Sequence, residues 1–263
     1  MFIDSHCHFN SLSKIAREET ASFCKDTFLC CFIDSSIDVN SSLASNALSQ
    51  YYGFIYTSLG FHPFSAGIFC GEVIETYEAL IKENKKIVAI GEIGLDYKAD
   101  KSQEVQEEVF KAFIRLAKRH NLPVIIHNRL DPASDNNKKQ PRVLEILGQF
   151  YPSFEKVIFH CFSYGPDILK PIIKKSGFVS FSLNVLRNKS EIIRSLEECP
   201  LENLLLETDS PYMKIKERNS TPLDIDKVYA KVSQAKGINE DKLKEQIVAN
   251  IHRAFNFNPR SNT

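Results

Sequence analysis

The chain has 263 residues, and its 33 basic residues balance its 33 acidic ones, so the formal net charge at pH 7 is zero. A composition of 43% hydrophobic and 25% charged residues is typical of a globular protein and excludes a disordered or collagen-like chain. A neutral chain also lacks the basic excess with which a protein coats duplex DNA or an anionic membrane by charge alone.

The first residues and the cysteines favour a cytoplasmic protein. The chain begins with acidic and histidine residues (Asp4, His6 and His8) instead of a basic segment followed by an apolar one, which predicts no secretory signal. No apolar run approaches the roughly 18 residues of a membrane-spanning helix, so we expect no membrane partner. Seven cysteines without a CxxC pair indicate reduced thiols.

Short runs of apolar, β-branched or aromatic residues recur along the chain and predict strands. In chain order there are eight of them: Phe2–His6, Thr27–Ile33, Phe54–Leu59, Ile87–Glu92, Pro123–His127, Lys156–His160, Phe178–Ser182 and Leu204–Thr208.

Longer amphipathic stretches with apolar residues at helical spacing separate most of these strands. Such stripes span Val73–Ile81, Val105–Leu116, Ile168–Ile173, Ile192–Leu196 and Leu243–Phe255. Asp100 with Gln103 resembles a capping box that opens the second of these helices.

The alternation of strands and helices predicts the fold. Eight units in 263 residues leave about 33 residues for each, the size of a βα repeat. Apolar strands alternating with helices imply a parallel sheet that is buried on both faces. We therefore predict an α/β fold, a closed (β/α)₈ TIM-type barrel forming a single domain over residues 1–263, with the active site at the C-terminal ends of the strands. An open doubly wound sheet is the alternative, but the Gly-rich phosphate turn on which it usually opens is missing.

Residues that can bind metals stand where five of the predicted strands end. They are His6 and His8 after the first strand, Glu92 and Asp96 after the fourth, His127 after the fifth, His160 after the sixth, and Glu207 and Asp209 after the eighth. Imidazole with carboxylate is the ligand set of zinc, manganese, iron or nickel rather than of calcium. The pattern predicts a site for divalent cations whose ligands are His6, His8, Glu92, His127, His160 and Asp209.

Other polar residues near these strand ends receive different expectations. Asp4 and Glu207 are expected to orient ligands from behind. Cys7 and Cys161 should point away from the site by strand alternation and serve in packing. His120 and His252 lie on predicted helices among charged neighbours and are expected at the surface.

Six motifs give the chain a resemblance to a known family. MFIDSHCHF, GFHP, GEIGLDY, IHNR, FHCFS and LETDSPY occur in this order between Met1 and Tyr212. In this order they resemble the TatD family of metal-dependent deoxyribonucleases, which belongs to the amidohydrolase-like (β/α)₈ barrels. The chain departs from the family's usual pattern at Tyr164, in the long polar stretch Asp131–Arg142 and in the short segment Met213–Asn219.

The resemblance implies roles for individual residues. One metal would be held by His6, His8, Glu92 and Asp209. Glu92 would bridge to a second metal that His127 and His160 hold, so that two divalent ions are expected, with zinc, manganese, magnesium, nickel and iron not distinguished. The resemblance also implies that the substrate would face three further side chains, those of His62, Asp96 and Arg129.

The mechanism that follows is a hypothesis. A water activated by the cations would attack a phosphodiester bond, with Asp209 positioning the water and accepting its proton beside Glu92. Arg129 and His62 would hold the phosphate. Only the resemblance points to DNA, as a single strand or a 3′ end cleaved in the 3′–5′ direction. The ligand set would equally suit an amidohydrolase-like enzyme acting on a small amide, ester or phosphoester, and a non-catalytic metal-binding scaffold is a third hypothesis.

Overall fold

The computed structural model describes residues 1–27, 30–130 and 141–259. Eight parallel strands form one sheet in which each strand pairs with the next along the chain. They are β1 (Phe2–Cys7), β2 (Cys30–Ser35), β3 (Ile55–Leu59), β4 (Ile87–Asp96), β5 (Val124–Arg129), β6 (Val157–Phe159), β7 (Phe178–Phe181) and β8 (Leu204–Leu206). A two-stranded antiparallel hairpin follows, formed by β9 (Lys214–Ile215) and β10 (Arg218–Asn219).

Helices connect the strands of the sheet and complete the chain. They are α1 (Lys14–Thr27), α2 (Val39–Tyr51), α3 (Gly71–Glu83), α4 (Gln103–Arg119), α5 (Arg142–Phe150), α6 (Pro166–Lys174), α7 (Ser190–Glu198), α8 (Ile225–Lys236) and α9 (Glu240–Phe255). Short 3₁₀ helices over Pro63–Ile68 and Leu183–Arg187 follow β3 and β7.

The sheet closes where the segment after β8 meets the end of β1. The backbone N–H of Asp209 donates to the carbonyl of His6 at 3.0 Å, and that of His8 donates to the carbonyl of Ser210 at 2.7 Å. These two bonds pair the ends of the first and last strands, as a barrel requires. The predicted (β/α)₈ barrel is confirmed.

The strands are apolar because both of their faces are buried. Every residue of β4 is buried, and so is every residue of β2, β3 and β7. Helices such as α4 and α6 cover the outer face with their apolar stripes, and side chains from alternate strand positions fill the interior. The titratable groups of the candidate site gather where the strands end, while a few buried polar side chains inside the strands, such as Ser5 and Ser180, bond to each other.

Polar contacts hold the C-terminal helices against the barrel. Asn250 of α9 donates to the carbonyls of Leu201 and Leu204, each at 2.7 Å. The hydroxyl of Tyr229 in α8 donates to the carbonyl of Ile3 at 3.1 Å. Both side chains are fully buried, so the closing strands are supported from outside by satisfied hydrogen bonds.

The three largest departures from the predicted elements concern β2, β4 and α4. The second strand begins at Cys30 and not at Thr27, because α1 extends to Thr27. The fourth strand continues to Asp96 instead of ending at Glu92, with a shift of register against β5 between Ile90 and Ile93.

The third is the predicted capping box of α4, which does not form. Ser102, not Asp100, is the N-cap residue of this helix. Gln103 donates instead to Glu107 one turn further on, at 3.0 Å.

The structure also bears on the expectations for membrane spans, for the cysteines and for the segment Asp131–Arg142. Among the described residues, no helix combines the length and apolar character of a membrane span. All seven cysteines lie in the described part of the chain and none forms a disulfide. The departure at Asp131–Arg142 falls on residues 131–140, outside the described residues, and Arg142 begins α5.

Candidate metal centre

The predicted ligand residues meet at the C-terminal end of the barrel. A cavity of about 530 Å³ opens there, and its walls include His8, His62, Glu92, His127, His160 and Asp209. His6 lies behind His8, and its ring stacks on that of His160 with 4.1 Å between centroids. The barrel brings these residues together, because each lies in or just beyond the C-terminal part of a strand of the same closed sheet.

Glu92 stands at the centre of this arrangement, and its Oε2 atom faces the end of β1. The Nε2 atoms of His6 and His8 lie 3.5 and 3.7 Å from it and 3.2 Å from each other. Oδ1 of Asp209 completes this group, 3.9 Å from Nε2 of His6 and 3.4 Å from Nε2 of His8.

The other carboxylate oxygen of Glu92, Oε1, faces a second group of nitrogens. Nδ1 of His127 lies 2.5 Å from it, and Nε2 of His160 lies 2.7 Å from it. These two nitrogens are 3.4 Å apart. One carboxylate thus separates two groups of potential ligands.

Two glycines allow the backbone to place Glu92 here. A Cβ atom on Gly60 would lie 2.2 Å from the backbone nitrogen of Glu92 and 1.9 Å from the carbonyl oxygen of Ser36. Gly94 has φ +149°, and its Cβ would lie 1.9 Å from the carbonyl oxygen of His127. Only glycine permits such close backbone approach, which brings β3, β4 and β5 together at the site.

Hydrogen bonds to Ser35 determine which nitrogens of His8 and His6 face the site. Nδ1 of His8 is 3.0 Å from the carbonyl oxygen of Ser35, which can only accept, so Nδ1 carries the proton and Nε2 carries the lone pair. Nδ1 of His6 is 3.0 Å from the hydroxyl of the same Ser35. Ser35 ends β2 at the rim, and the prediction of that strand stopped two residues too early to identify it.

Asp96 orients the ring of His127 through a hydrogen bond, as Ser35 does for His8. Its Oδ2 lies 2.8 Å from Nε2 of His127, which therefore donates and leaves the Nδ1 lone pair directed at the site. Asp96 is fully buried, and its Oδ1 accepts the backbone N–H of Lys98 at 2.8 Å. The structure places Asp96 behind His127, where it pairs with Arg129 across the sheet and is not among the residues that line the cavity. A direct contact of Asp96 with the substrate stays a prediction.

Glu207 and Asp4 lie behind the cavity, as expected, but their carboxylates contact different kinds of groups. Oε1 of Glu207 accepts the backbone N–H of Cys161 at 2.6 Å and lies 3.6 Å from Nδ1 of His160. Asp4 accepts the backbone N–H groups of His6 at 3.2 Å and Thr208 at 2.9 Å. Asp4 therefore ties β1 to the segment after β8 and orients the backbone of His6, not a histidine ring.

His62 presents a proton to the cavity instead of a lone pair. Its Nδ1 accepts the backbone N–H of Phe64 at 3.1 Å, so the neutral ring carries its proton on Nε2, which lies 3.6 Å from Oε1 of Glu92. Burial lowers the pKa of His62 to about 3, which keeps the ring neutral at physiological pH. His62 is thus suited to donate to a substrate oxygen and not to bind a cation.

Arg129 reaches the cavity from the end of β5. Its Nη1 lies 3.1 Å from Oδ2 of Asp96, and its side chain is half exposed. The hydroxyl of Tyr164 donates to the carbonyl of Asn128 at 2.5 Å and accepts the N–H of Leu130 at 3.2 Å. Tyr164, one of the positions at which the chain departs from the pattern of the family it resembles, therefore holds the backbone on both sides of Arg129.

Three smaller expectations can be compared with the structure. Cys7 packs inward, with its thiol 3.7 Å from the carbonyl of Ile33. Cys161 does not point away: β6 has already ended at Phe159, and the thiol lines the cavity near Ser182 and Asn184. His252 is exposed.

His120, by contrast with the expectation, is only half exposed and lies 3.8 Å from Glu78.

The electrostatics of the site balance anionic carboxylates against protonated imidazoles. Burial disfavours the charge of Glu92, but His160 and His127 outweigh it and hold the pKa of Glu92 well below its usual range. Burial likewise opposes protonation of His127 and His160, yet the charge of Glu92 raises the pKa of both. Without a cation, protons on these rings stabilise the buried carboxylate.

The donor set fits divalent cations. Two ligands that each lie about 2.1 Å from a zinc-type ion are about 3.0 to 3.4 Å apart, and the separations around Glu92 lie near this range. Three groups of ligand atoms, each within 4.8 Å of one another, are His6, His8 and Glu92; His6, His160 and Asp209; and His62, Glu92 and His127. The proton on Nε2 of His62 removes that residue from the third group as a ligand.

Comparison with known proteins supports the fold and identifies a family of metal-dependent hydrolases. A family model described as TatD related DNase matches residues 3–256. An uncharacterized metal-dependent hydrolase of Bacillus subtilis, YabD, is 30% identical over 98% of this chain and 100% of its own length. A 3′-5′ ssDNA/RNA exonuclease TatD of Erwinia tasmaniensis is 27% identical over 83% of this chain and 85% of its own.

A solved structure is similar as well. The TatD homologue YJJV of Escherichia coli K12 superposes with a TM-score of 0.85 at 25% identity, covering 97% of this chain and 98% of that one.

Proposed function

The chain belongs to the TatD related DNase family of metal-dependent hydrolases, and we propose that it hydrolyses phosphodiester bonds at the 3′ end of single-stranded DNA. The six ligands would be His6, His8, Glu92, His127, His160 and Asp209, with Glu92 shared between two divalent cations.

The main observation behind the proposal is that Glu92 lies between two groups of potential metal ligands. Its two oxygens face separate groups, with His6 and His8 on one side and His127 and His160 on the other. Cations held by these two groups would support both the attacking and the leaving oxygen in phosphodiester hydrolysis.

When bound, the cations would lower the pKa of a nearby water toward 7 and neutralise charge on the phosphate. Asp209 would orient this water and accept its proton. Burial opposes its ionisation, but the adjacent ring of His8 and the charge of His160 hold the pKa of Asp209 below its ordinary value. Its carboxylate is therefore ionised at neutral pH and lines the cavity.

The chain's own donors would hold the substrate. His62 offers its Nε2–H to a phosphate oxygen as a neutral donor, and Arg129 offers a planar guanidinium fork that Asp96 keeps in place. A phosphate bound between them would lie beside Glu92, since Nε2 of His62 is 3.6 Å from Oε1.

Relatives and the site together support DNA over a small substrate. Relatives from several bacteria are named 3′-5′ ssDNA/RNA exonucleases. Arg129 adds a permanent cation to the cavity, which suits an anionic phosphodiester and gives no advantage with a neutral amide or lactone. RNA and small phosphoesters remain outcomes of the test.

The test is metal-dependent nuclease activity. Purified protein stripped with a chelator should release nucleotides from a 3′-labelled single strand only after zinc, manganese, magnesium, nickel or iron is restored. His127→Ala and Asp209→Asn should each lose at least about 100-fold in kcat, while His252→Ala, an exposed histidine of α9, should retain full activity. Nuclease activity that survives in both site variants, or turnover only of small esters and amides, would contradict the proposal.

A further inference from the structure

The cavity contains a second arginine that the proposed mechanism does not use. Arg187 ends the 3₁₀ helix that follows β7, is exposed, and lines the cavity together with Asn184. Within the described ranges, no carboxylate lies within 4.0 Å of its guanidinium, whereas Arg129 is paired with Asp96. Arg187 is therefore a cation whose charge is available to a ligand.

The barrel topology separates the two arginines. Arg129 ends β5, whereas Arg187 ends the 3₁₀ helix that follows β7, and β6 lies between these two strands in the sheet. Both arginines line the same cavity but enter it from different strand ends. Two cations that enter from different strand ends suit two different phosphate groups.

Tyr212 lines the same cavity as Arg187. It lies three residues beyond Asp209, after β8, which is the neighbour of β7 in the sheet. Its ring contacts His8 edge-on, with 4.7 Å between ring centroids, and 56% of the residue is exposed. A ring held by one edge at the mouth of a cavity leaves a face for another planar group.

Single-stranded nucleic acids bind to surfaces that combine an exposed aromatic ring with a cation, with a base stacked on the ring and a phosphate on the cation. Tyr212 and Arg187 bring both groups to one cavity. A small neutral ester or amide would use neither group.

We propose that Arg187 and Tyr212 form a second nucleotide subsite, which binds the nucleotide next to the scissile phosphodiester. Arg187 holds the phosphate of that nucleotide and Tyr212 stacks on its base. The inference rests on the proposed phosphodiesterase function and deepens it: the substrate is a polynucleotide strand, and a phosphodiester that lacks the neighbouring nucleotide forgoes these contacts.

Two substrates of different length provide the kinetic test. Arg187→Ala should lower kcat/KM about tenfold on decathymidylate, mainly through KM, because a charge-assisted phosphate contact is lost. Hydrolysis of bis(p-nitrophenyl) phosphate, which has no second nucleotide, should stay within about twofold of wild type. Tyr212→Leu should show the same pattern, and Tyr212→Phe should restore wild-type behaviour because stacking needs only the ring.

Matched controls are available close by. Lys189→Ala removes an exposed cation two residues from Arg187 that does not line the cavity, and Tyr51→Leu removes an exposed ring on α2. Neither should alter the ratio of the two activities.

A binding measurement is independent of turnover. Fluorescence anisotropy with a nuclease-resistant phosphorothioate single strand should show weaker binding by Arg187→Ala. The slope of log K against log salt should become less negative by about 0.7, the contribution of one phosphate contact on a single strand. Lys189→Ala should leave this slope unchanged.

The outcomes separate this inference from the proposed function. Equal loss on both substrates, or equal effects of Arg187→Ala and Lys189→Ala, would overturn the subsite while leaving the nuclease intact. A wild-type protein that cleaves no DNA would refute the proposed function. In that case, strand binding that depends on Arg187 would still support the subsite, and strand binding that does not would overturn it.

Discussion

At the residue scale, hydrogen-bond partners decide what each histidine can do. His127 and His62 both lie within 3.6 Å of Oε1 of Glu92. Asp96 holds the proton of His127 on the far nitrogen, so its lone pair faces the site. The N–H of Phe64 occupies the far nitrogen of His62, so its proton faces the site. Identical side chains thus receive opposite roles, one as a ligand and one as a donor.

This difference predicts separate effects for two variants. His62→Ala should lower kcat/KM on DNA by about 100-fold, as removal of one donor to a developing negative charge does in other enzymes. Its metal content, measured by atomic emission after dialysis, should match that of wild type. His127→Ala should lose metal. Since the pKa of His62 is about 3, no limb of the pH–rate profile between pH 5 and 9 should disappear with His62. Loss of metal from His62→Ala would show that His62 is a ligand.

At the element scale, contacts between successive strand ends set the shape of the cavity. Tyr164 follows β6, yet its hydroxyl satisfies the carbonyl of Asn128 and the N–H of Leu130 beyond β5. Arg129 lies between these two backbone groups. The hydroxyl of Tyr164 therefore fixes the backbone around Arg129, the residue that we expect to bind the phosphate.

Tyr164→Phe should consequently affect both stability and substrate binding. Loss of the hydroxyl leaves two backbone groups unpaired, at a cost of about 1 to 3 kcal/mol in the free energy of unfolding measured with urea. KM for DNA should rise more than kcat falls. Tyr151→Phe is the matched control, because among the described residues the buried Tyr151 hydroxyl has no hydrogen-bond partner. That variant should be neutral. Equal stability of the two variants would contradict the role given to Tyr164.

A salt bridge joins α4 to α5 and predicts a pH dependence of stability. Arg142 contacts both carboxylate oxygens of Glu107, at 2.8 and 2.9 Å, and the hydrogen bonds from Arg142 lower the pKa of Glu107 to about 2. A carboxyl whose pKa is depressed in the folded state stabilises the fold above its unfolded pKa, near 4.5, and this contribution is lost as the pH falls toward 2.

The pair should contribute about 1 kcal/mol, since Arg142 is partly exposed and solvent screens its charge. Glu107→Gln should therefore lower the free energy of unfolding at pH 7 by this amount and have little effect near pH 2. Urea titrations at both pH values measure the difference. A deficit that is the same at both pH values would exclude the ionic contribution.

At the scale of the whole molecule, a net charge of zero conceals an uneven distribution. Five carboxyl groups, those of Asp4, Glu92, Asp96, Glu207 and Asp209, are buried at one end of the barrel. Burial raises the pKa of Asp4 well above its usual range, while Glu92 and Asp209 stay ionised beside histidines. Cations at this end would neutralise the charge and make it attractive to a phosphate chain.

Metal loading should therefore stabilise the fold. At a free metal concentration of about 100 times Kd, the linkage relation gives about 2.7 kcal/mol, which is several degrees in Tm for a chain of this size. The stabilisation should shrink as the pH falls, because the raised pKa values of His8, His127 and His160 let protons compete with the metal. Thermal unfolding with and without a chelator, at pH 8 and pH 6, measures this. His127→Ala should respond less, and an equal metal response in that variant would contradict the site.

Much of the architecture and the ligand set could be predicted because the signals are local. Apolar runs and helical spacing depend on neighbours in sequence, and the rule that barrel sites lie at strand ends converts those positions into a site. The failures occur where a strand departs from its regular period. Glycines let β4 continue to Asp96, and β6 ends early enough for the thiol of Cys161 to enter the cavity.

The sequence by itself determined that this chain forms a (β/α)₈ barrel and which residue types meet at its rim, because both follow from periodicity and order along the chain. Only the tertiary structure decided which nitrogen of His8 and of His127 faces the cavity. The groups that decide it, Ser35 for His8 and Asp96 for His127, come from other strands and are distant in sequence. Burial at the closed end of the barrel then makes these hydrogen bonds strong enough to hold each ring in one tautomer.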